Sequence, residues 1–272
     1  MTMIDLHCHL LPGIDDGSPD MATSLEMARI ASQDGISIIA CTPHIYPGMY
    51  ENTASGIARA TEVLKLAVQR AGIPLELTYA SDTHVVPDLV EKLQNGTSPT
   101  FNGGRYFLLE PPHHVAPPNF EDFVFRVLAA GYIPIVTHPE RLSWIEQDYA
   151  VFERLAHKGA WMQLTAGSLT GRFGSNARYW GERMLDDGLV HILATDSHGV
   201  TRRPPLLAEG VTAAAKWVGL EEAQRMVTER PAAVLANVDP AHVAPMLALQ
   251  TASKTTRSGV LDSIKRWVRF SR

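Results

Sequence analysis

Val190-His191-Ile192-Leu193-Ala194-Thr195-Asp196-Ser197-His198 is almost wholly apolar until its end, where it turns ionisable. The same design recurs upstream. Met3 to His9 ends in His7 and His9, Ile36 to Thr42 is followed by His44, and Leu75 to Asp82 ends at Asp82 with His84 behind it. Tyr106 to Glu110 ends in Glu110 and Ile133 to His138 in His138. With Trp161 to Thr165, these make seven apolar runs of strand length. Helical patterns separate them at residues 21–33, 57–71, 120–130, 151–158 and 177–187, and Gly35, Gly72, Gly131, Gly159 and Gly188 stand where helices stop before the next strand. The alternation predicts an α/β chain with a parallel sheet and helical crossovers. If the sheet closes into a barrel, all the strand ends meet at one rim, where active sites of such barrels are built. An open doubly wound sheet, the second choice, would spread them along a crevice.

The 272 residues suit one barrel of about 250 residues, and 45% hydrophobic side chains suffice for a large core. A net charge of −5 gives no global attraction to nucleic acid, so no nucleic-acid partner is expected. Cys8 and Cys41 both fall in apolar runs, which argues against a disulfide framework and for a reducing compartment. With no basic leader and no apolar run of membrane-spanning length, the expected address is cytoplasmic. After about Asp239 the alternation ends, and Lys254 to Arg272 holds six Lys/Arg against Asp262. There Val260, Leu261, Ile264, Trp267 and Val268 share one helical face, which predicts a short basic amphipathic helix. It would touch an anionic membrane peripherally, or pack on the barrel or a second subunit. The oligomeric state is left open.

His7 and His9 stand at i and i+2 on a strand and so share its inner face; Asp196 and His198 repeat the spacing. A lone core histidine is usually a satisfied structural residue. That reading weakens as the list grows: Glu110 and His138 each end a strand with no local partner, and ionisable side chains are seldom buried without a partner or a metal. The candidate ligands are His7, His9, Asp16, His44, Asp82, Glu110, His138, Asp196 and His198. They are enough for two or three divalent ions, with Mn²⁺, Fe²⁺ or Zn²⁺ all compatible with N/O donors. Four carboxylates against three such ions leave a site of about +2, suited to a phosphate dianion. Arg141 and Arg203 each follow a ligand-bearing strand and are candidates to grip phosphate oxygens, the alternative being surface arginines paired with Glu140 or Glu209. A cysteine phosphatase needs Arg six positions after its Cys, where this chain has Ile14 and Pro47. There is no G-x-S-x-G elbow and no phosphate-binding P-loop.

Taken together, Asp5-Leu6-His7-Cys8-His9, Asp15-Asp16-Gly17, Thr42-Pro43-His44, Glu110, His138-Pro139-Glu140-Arg141 and Thr195-Asp196-Ser197-His198 resemble the polymerase and histidinol phosphatase (PHP) superfamily. The likeness runs from about residue 3 to residue 236. Within that superfamily the chain looks like the bacterial metal-dependent protein-tyrosine phosphatases of capsule and exopolysaccharide loci, the CpsB/CapC type. Leu10 to Gly17, the Tyr106-to-Glu110 run, His138 to Arg141 and Arg203-Pro204-Pro205 carry the closer likeness. The resemblance implies a distorted (β/α)7 TIM-like barrel over residues 1–238 with a C-terminal extension over 239–272. It further implies a trinuclear site usually supported by manganese, and phosphotyrosine on an autophosphorylating tyrosine kinase of polysaccharide export as substrate. One position departs from the family: its carboxylate after the third strand is commonly glutamate, where this chain has the shorter Asp82. A histidinol-phosphatase-like enzyme would share the cage with a narrower pocket. A polymerase-type nuclease would want a basic groove, and a non-catalytic metal-stabilised adaptor of a membrane kinase would bind without releasing phosphate.

Overall fold

Among the described residues nine short strands, all paired in parallel, make up the seven expected β-units. In the computed structural model, which describes residues 2–250, they are β1 (Met3–Cys8), β2 (Ile36–Cys41), β3 (His44–Ile45), β4 (Glu76–Tyr79), β5 (Asp82–His84), β6 (Tyr106–Glu110), β7 (Ile133–Thr137), β8 (Trp161–Thr165) and β9 (Ile192–Ala194). The second and third predicted strands are each interrupted. Pro43, which has no N–H to give to a ladder, separates β2 from β3, and Ala80-Ser81 separates β4 from β5. The sheet therefore divides into β1-β2-β4 and β3-β5-β6-β7-β8-β9. The barrel closes where the amide of Asp196 donates to the carbonyl of His7 (2.8 Å) and that of His9 to the carbonyl of Ser197 (2.9 Å). The fold is a distorted (β/α)7 TIM-like barrel of the PHP type.

Helices Met21–Gln33, Ala54–Arg70, Phe120–Ala129, Ile145–His157 and Gly174–Asp186 occupy the predicted positions. The helix at Ile145 starts six residues before the predicted 151, its first turn carrying Glu146 and Asp148. Helices Ala208–Val218, Leu220–Arg225 and Glu229–Leu235 follow the last strand and were not expected from the strand–helix alternation.

Two apolar layers hold the barrel. Met3, Phe107, Leu109, Val136, Met162, Leu164 and Leu193 face the helices. Ile4, Leu6, Leu108, Ile135 and Ile192 fill the interior, and Phe101, Trp161 and Val234 join this inner cluster. At the foot, where strands begin, the fully buried Arg230 gives hydrogen bonds to Glu222 (2.6 Å), to the carbonyls of Pro245 (2.8 Å) and Ala244 (2.9 Å), and to that of His191 (3.2 Å). Residues 244–250 thus dock on the foot, with Met246 buried. The basic amphipathic helix expected at 260–268 lies outside the described residues. Among the described residues no helix is long and apolar enough to cross a membrane.

Candidate metal centre

The interior face changes chemistry within β1. Asp5 pairs with Ile39 and Cys8 with Cys41, so three steps along β1 match two along β2. This one-residue slip, a β-bulge, reverses the alternation. Ile4 and Leu6 point into the inner apolar cluster, and immediately above them His7 and His9 point the same way while Cys8 turns toward the helix layer. The loop after β1 then folds back onto His9. A Cβ at Gly17 would stand 2.3 Å from the His9 carbonyl oxygen, so only glycine allows the approach that brings Asp15 and Asp16 to the rim.

All nine candidate ligands converge there. Groups able to hold a metal ion are His9, Asp16, His44 and His198; His7, His9 and Asp82; His7, His138 and Asp196; and His44, Asp82 and Glu110. His113 joins Glu110 and His138 in a fifth group. His7 Nε2 is 3.4 Å from both Asp82 Oδ2 and Asp196 Oδ1, and 3.2 Å from His9 Nε2. His44 Nε2 lies 3.4 Å and His198 Nε2 3.5 Å from Asp16 Oδ1. His44 Nδ1 lies 3.3 Å from Glu110 Oε2 and 3.5 Å from Asp82 Oδ2, so the shorter arm of Asp82 still reaches between two imidazoles.

These separations are long for hydrogen bonds. Two donors each about 2.1 Å from one ion, at angles of about 90 to 110°, stand roughly 3.0 to 3.4 Å apart. The hydrogen-bond inventory agrees. Neither oxygen of Asp82 has a hydrogen-bond partner although the residue is 1% exposed, and Nδ1 of His44 and Nδ1 of His138 are also unpartnered. Buried groups left so are costly unless a cation satisfies them. The other ring nitrogens are held from behind: His7 Nδ1 by Gln163 Oε1 (2.8 Å), His9 Nδ1 by Asp15 Oδ2 (2.8 Å) and His198 Nδ1 by the Asp196 carbonyl (3.0 Å). That leaves each Nε2 free to face inward, the arrangement that orients metal-binding imidazoles. His138 (φ 35°) and Asp196 (φ 48°) adopt left-handed backbone, strain of order 1 kcal/mol or more each that is concentrated at the rim.

Electrostatics show what balances the cage without ions. Burial disfavours charge on His7, yet Asp82 and Asp196 outweigh it and lift its pKa to about 9. Burial likewise opposes charge on His44, but the neighbouring carboxylates of Asp16, Glu110 and Asp82 carry it to about 12. His198, with burial and the neighbouring His9 against it, falls to about 4, and burial with Arg141 pushes His138 well down. Despite burial, Arg203, His7 and Arg141 hold the Asp196 carboxyl well below its usual range. Protons on His7 and His44 therefore stand in for cations, and metal uptake must displace them.

Arg141 and Arg203 both reach Asp196 Oδ2, Arg203 Nη2 at 2.5 Å. The surface alternative for these arginines does not hold: Glu140 is buried and accepts from Thr165 N (3.0 Å) and Ser168 Oγ (2.8 Å), while Glu209 pairs with Arg172. A mouth of about 200 Å³ opens between the arginines and the turn Tyr46–Tyr50. His84 is buried, stacks on Tyr46 at 3.9 Å, and has Nδ1 3.8 Å from Glu110 Oε2, which places it beside the cage. The reading of residues alone passed over Asp15, Gln163, His113, Tyr46, Met49, Tyr50 and Phe173. Only Asp15, beside Asp16, and His113, three residues after Glu110, carried a usable signal.

The family described as Capsular polysaccharide synthesis, CpsB/CapC, matches residues 3–236. The chain is 34% identical over 235 residues to the tyrosine-protein phosphatase YwqE of Bacillus subtilis, covering 86% of this chain and 92% of that protein. It is 27% identical to the tyrosine-protein phosphatase CpsB of Streptococcus agalactiae, covering 86% and 99%. A solved structure, described as YwqE from Bacillus subtilis and CpsB from Streptococcus pneumoniae, unique metal-dependent tyrosine phosphatases, superposes with a TM-score of 0.82 at 34% identity over 86% of this chain and 95% of that one. Dihydropyrimidinase from Brevibacillus agri, at 12% identity and a TM-score of 0.51 over 90% of this chain and 73% of that one, shares the fold alone. With the matched span running from the first strand past the last and taking in every rim group, the chain belongs to the CpsB/CapC family of capsular polysaccharide synthesis.

Proposed function

We propose that this chain is a metal-dependent protein-tyrosine phosphatase whose ions are held by His7, His9, Asp16, His44, Asp82, Glu110, His138, Asp196 and His198. The observation that carries the reading is Asp82: a buried carboxylate with no hydrogen-bond partner, set between His7 and His44. The N/O donor set suits manganese first, with iron or zinc as alternatives. Divalent ions, when bound, supply Lewis acidity toward phosphoryl oxygens and a water acidic enough to react near neutral pH. Arg141 and Arg203 orient the ester at the mouth and offset charge developing on its equatorial oxygens. Of the side chains lining that mouth, only Tyr46, Met49 and Tyr50 are not metal-facing or cationic groups, and they form one turn. That wall suits the ring of an aryl phosphate better than a small alkyl ester. A phenolate with a pKa of about 10 then leaves with little acid help.

In the same reading the protein is cytoplasmic and its substrate is a phosphorylated tyrosine kinase of polysaccharide export; the family's link to capsule synthesis supports this. The basic C-terminal segment would bring it to the membrane surface where such a kinase sits. The test is phosphate release from a phosphotyrosyl peptide, histidinol phosphate and single-stranded DNA, before and after chelation and with Mn²⁺, Fe²⁺ or Zn²⁺ restored. The expected result is preference for the peptide, lost on chelation and recovered with Mn²⁺. Faster turnover of histidinol phosphate would make the protein a small-molecule phosphatase, and no release with any metal would make it an adaptor.

A further inference from the structure

We infer that Phe173 is a positioning residue that holds Arg141 and Arg203 as one phosphate clamp. This rests on the phosphate-gripping role proposed for the two arginines.

Arg141 follows β7 and Arg203 follows β9, so no common element fixes their spacing. Two things do. One is Asp196 Oδ2, which accepts from both. The other is the ring of Phe173, with the Arg141 Cζ 4.2 Å and the Arg203 Cζ 5.5 Å from its centroid, both within cation–π range. Asp196 cannot serve undivided, because its Oδ1 faces His7 and His9, each at 3.4 Å. A carboxylate drawn toward cations in the cage gives less to the guanidiniums, and the ring is then the remaining anchor common to both. Phe173 is itself seated with little slack. It follows the short helix Ala166–Leu169, and a Cβ added to Gly167 would lie 3.0 Å from its Cε2. The aromatic face lets two like charges stand side by side without a second buried carboxylate, which would repel the ester's own oxygens.

The test compares the metal-loaded full chain with Phe173→Leu and Phe173→Met, which keep an apolar side chain but no π face, and with Phe173→Tyr and Phe173→Trp, which restore one. The readouts are kcat and KM on a phosphotyrosyl peptide, the inhibition constant of inorganic phosphate, bound metal and thermal unfolding. Loss of the ring is expected to raise KM and the phosphate inhibition constant together by roughly tenfold, with bound metal unchanged and recovery in the aromatic variants. Should one aliphatic variant fail to fold, the other carries the comparison. Wild-type KM and phosphate inhibition in a folded aliphatic variant would overturn the inference, as would aromatic variants as impaired as the aliphatic ones. Arg141→Ala and Arg203→Ala separate the two levels. If they leave phosphate affinity intact the clamp itself is refuted, whereas impaired arginine variants beside a normal Phe173→Leu refute only the role of the ring.

Discussion

The barrel buries charge at both ends, and the two ends treat it oppositely. At the foot, Arg230 spends its donors on one carboxylate and three backbone carbonyls, so that its charge is closed off by protein alone. At the rim, Asp82 keeps both oxygens unpartnered at equal depth, and the surrounding imidazoles turn nitrogens toward the same space. Burial is alike in the two places. The hydrogen-bond inventory tells a charge kept for structure from one kept for chemistry.

The largest effect that would sharpen the contrast is Asp196→Ala. It should lower kcat by about a thousandfold or more, because it removes the anchor shared by two histidines and two arginines, while leaving a folded barrel by circular dichroism. A fully active variant would break the site assignment. At the foot the signs reverse: Arg230→Met should cost about 3 to 5 kcal/mol in denaturant unfolding by stranding Glu222, with activity per folded molecule retained. Replacing Glu222 as well should recover part of that loss, and a silent single variant would show that the foot is not closed as described.

Proton dependence offers an intermediate effect. His7 has its pKa raised from 6.5 to about 9 in the folded state, so its pairing stabilises fully below 6.5 and is lost as pH rises through 9. The chelated protein should therefore melt several degrees lower at pH 9 than at pH 7. The manganese-loaded protein, with cations in place of those protons, should change less. Glu140 adds to the trend at lower pH, since burial lifts it to about 7 and its ionisation costs stability as pH rises from 4.5 through that value. A melting temperature of the chelated protein that is flat from pH 7 to 9 would contradict proton-for-metal exchange. The smallest effect belongs to the mouth. Met49→Ala should lower the preference for phosphotyrosyl over phosphoseryl peptide of the same sequence by roughly threefold to tenfold, and an unchanged ratio would remove Met49 from the apolar wall.

The rim was legible in the sequence because position on a strand is a one-dimensional property. His138 and Asp196 read as strand ends, and strand ends of a closed parallel sheet share a rim. The apolar strand beginnings likewise announced a packed interior. What depended on pairing or on loops was not legible. The break at Ala80-Ser81, unlike that at Pro43, is marked by no residue of its own. Phe173 meets arginines 32 residues before it and 30 after it only because two loops fold over the same mouth. Gln163 looked like one polar residue in an apolar run until the barrel brought it to His7. Arg230 gave no sign of burial, since its partners are mostly carbonyls, which every residue carries.

The slip in β1 has an evolutionary side. Substitutions at Ile4 or Leu6 change only what fills the interior, and the histidines above keep their direction. A β1 of the same length without the slip would instead alternate strictly from Ile4, turn His7 and His9 into the helix layer and send Cys8 inward. Such a chain could still count as a barrel by its apolar content while having no cage. Across relatives this strand should therefore tolerate exchanges of apolar side chain at its start while keeping a direction change between Asp5 and Cys8 that leaves both histidines facing inward.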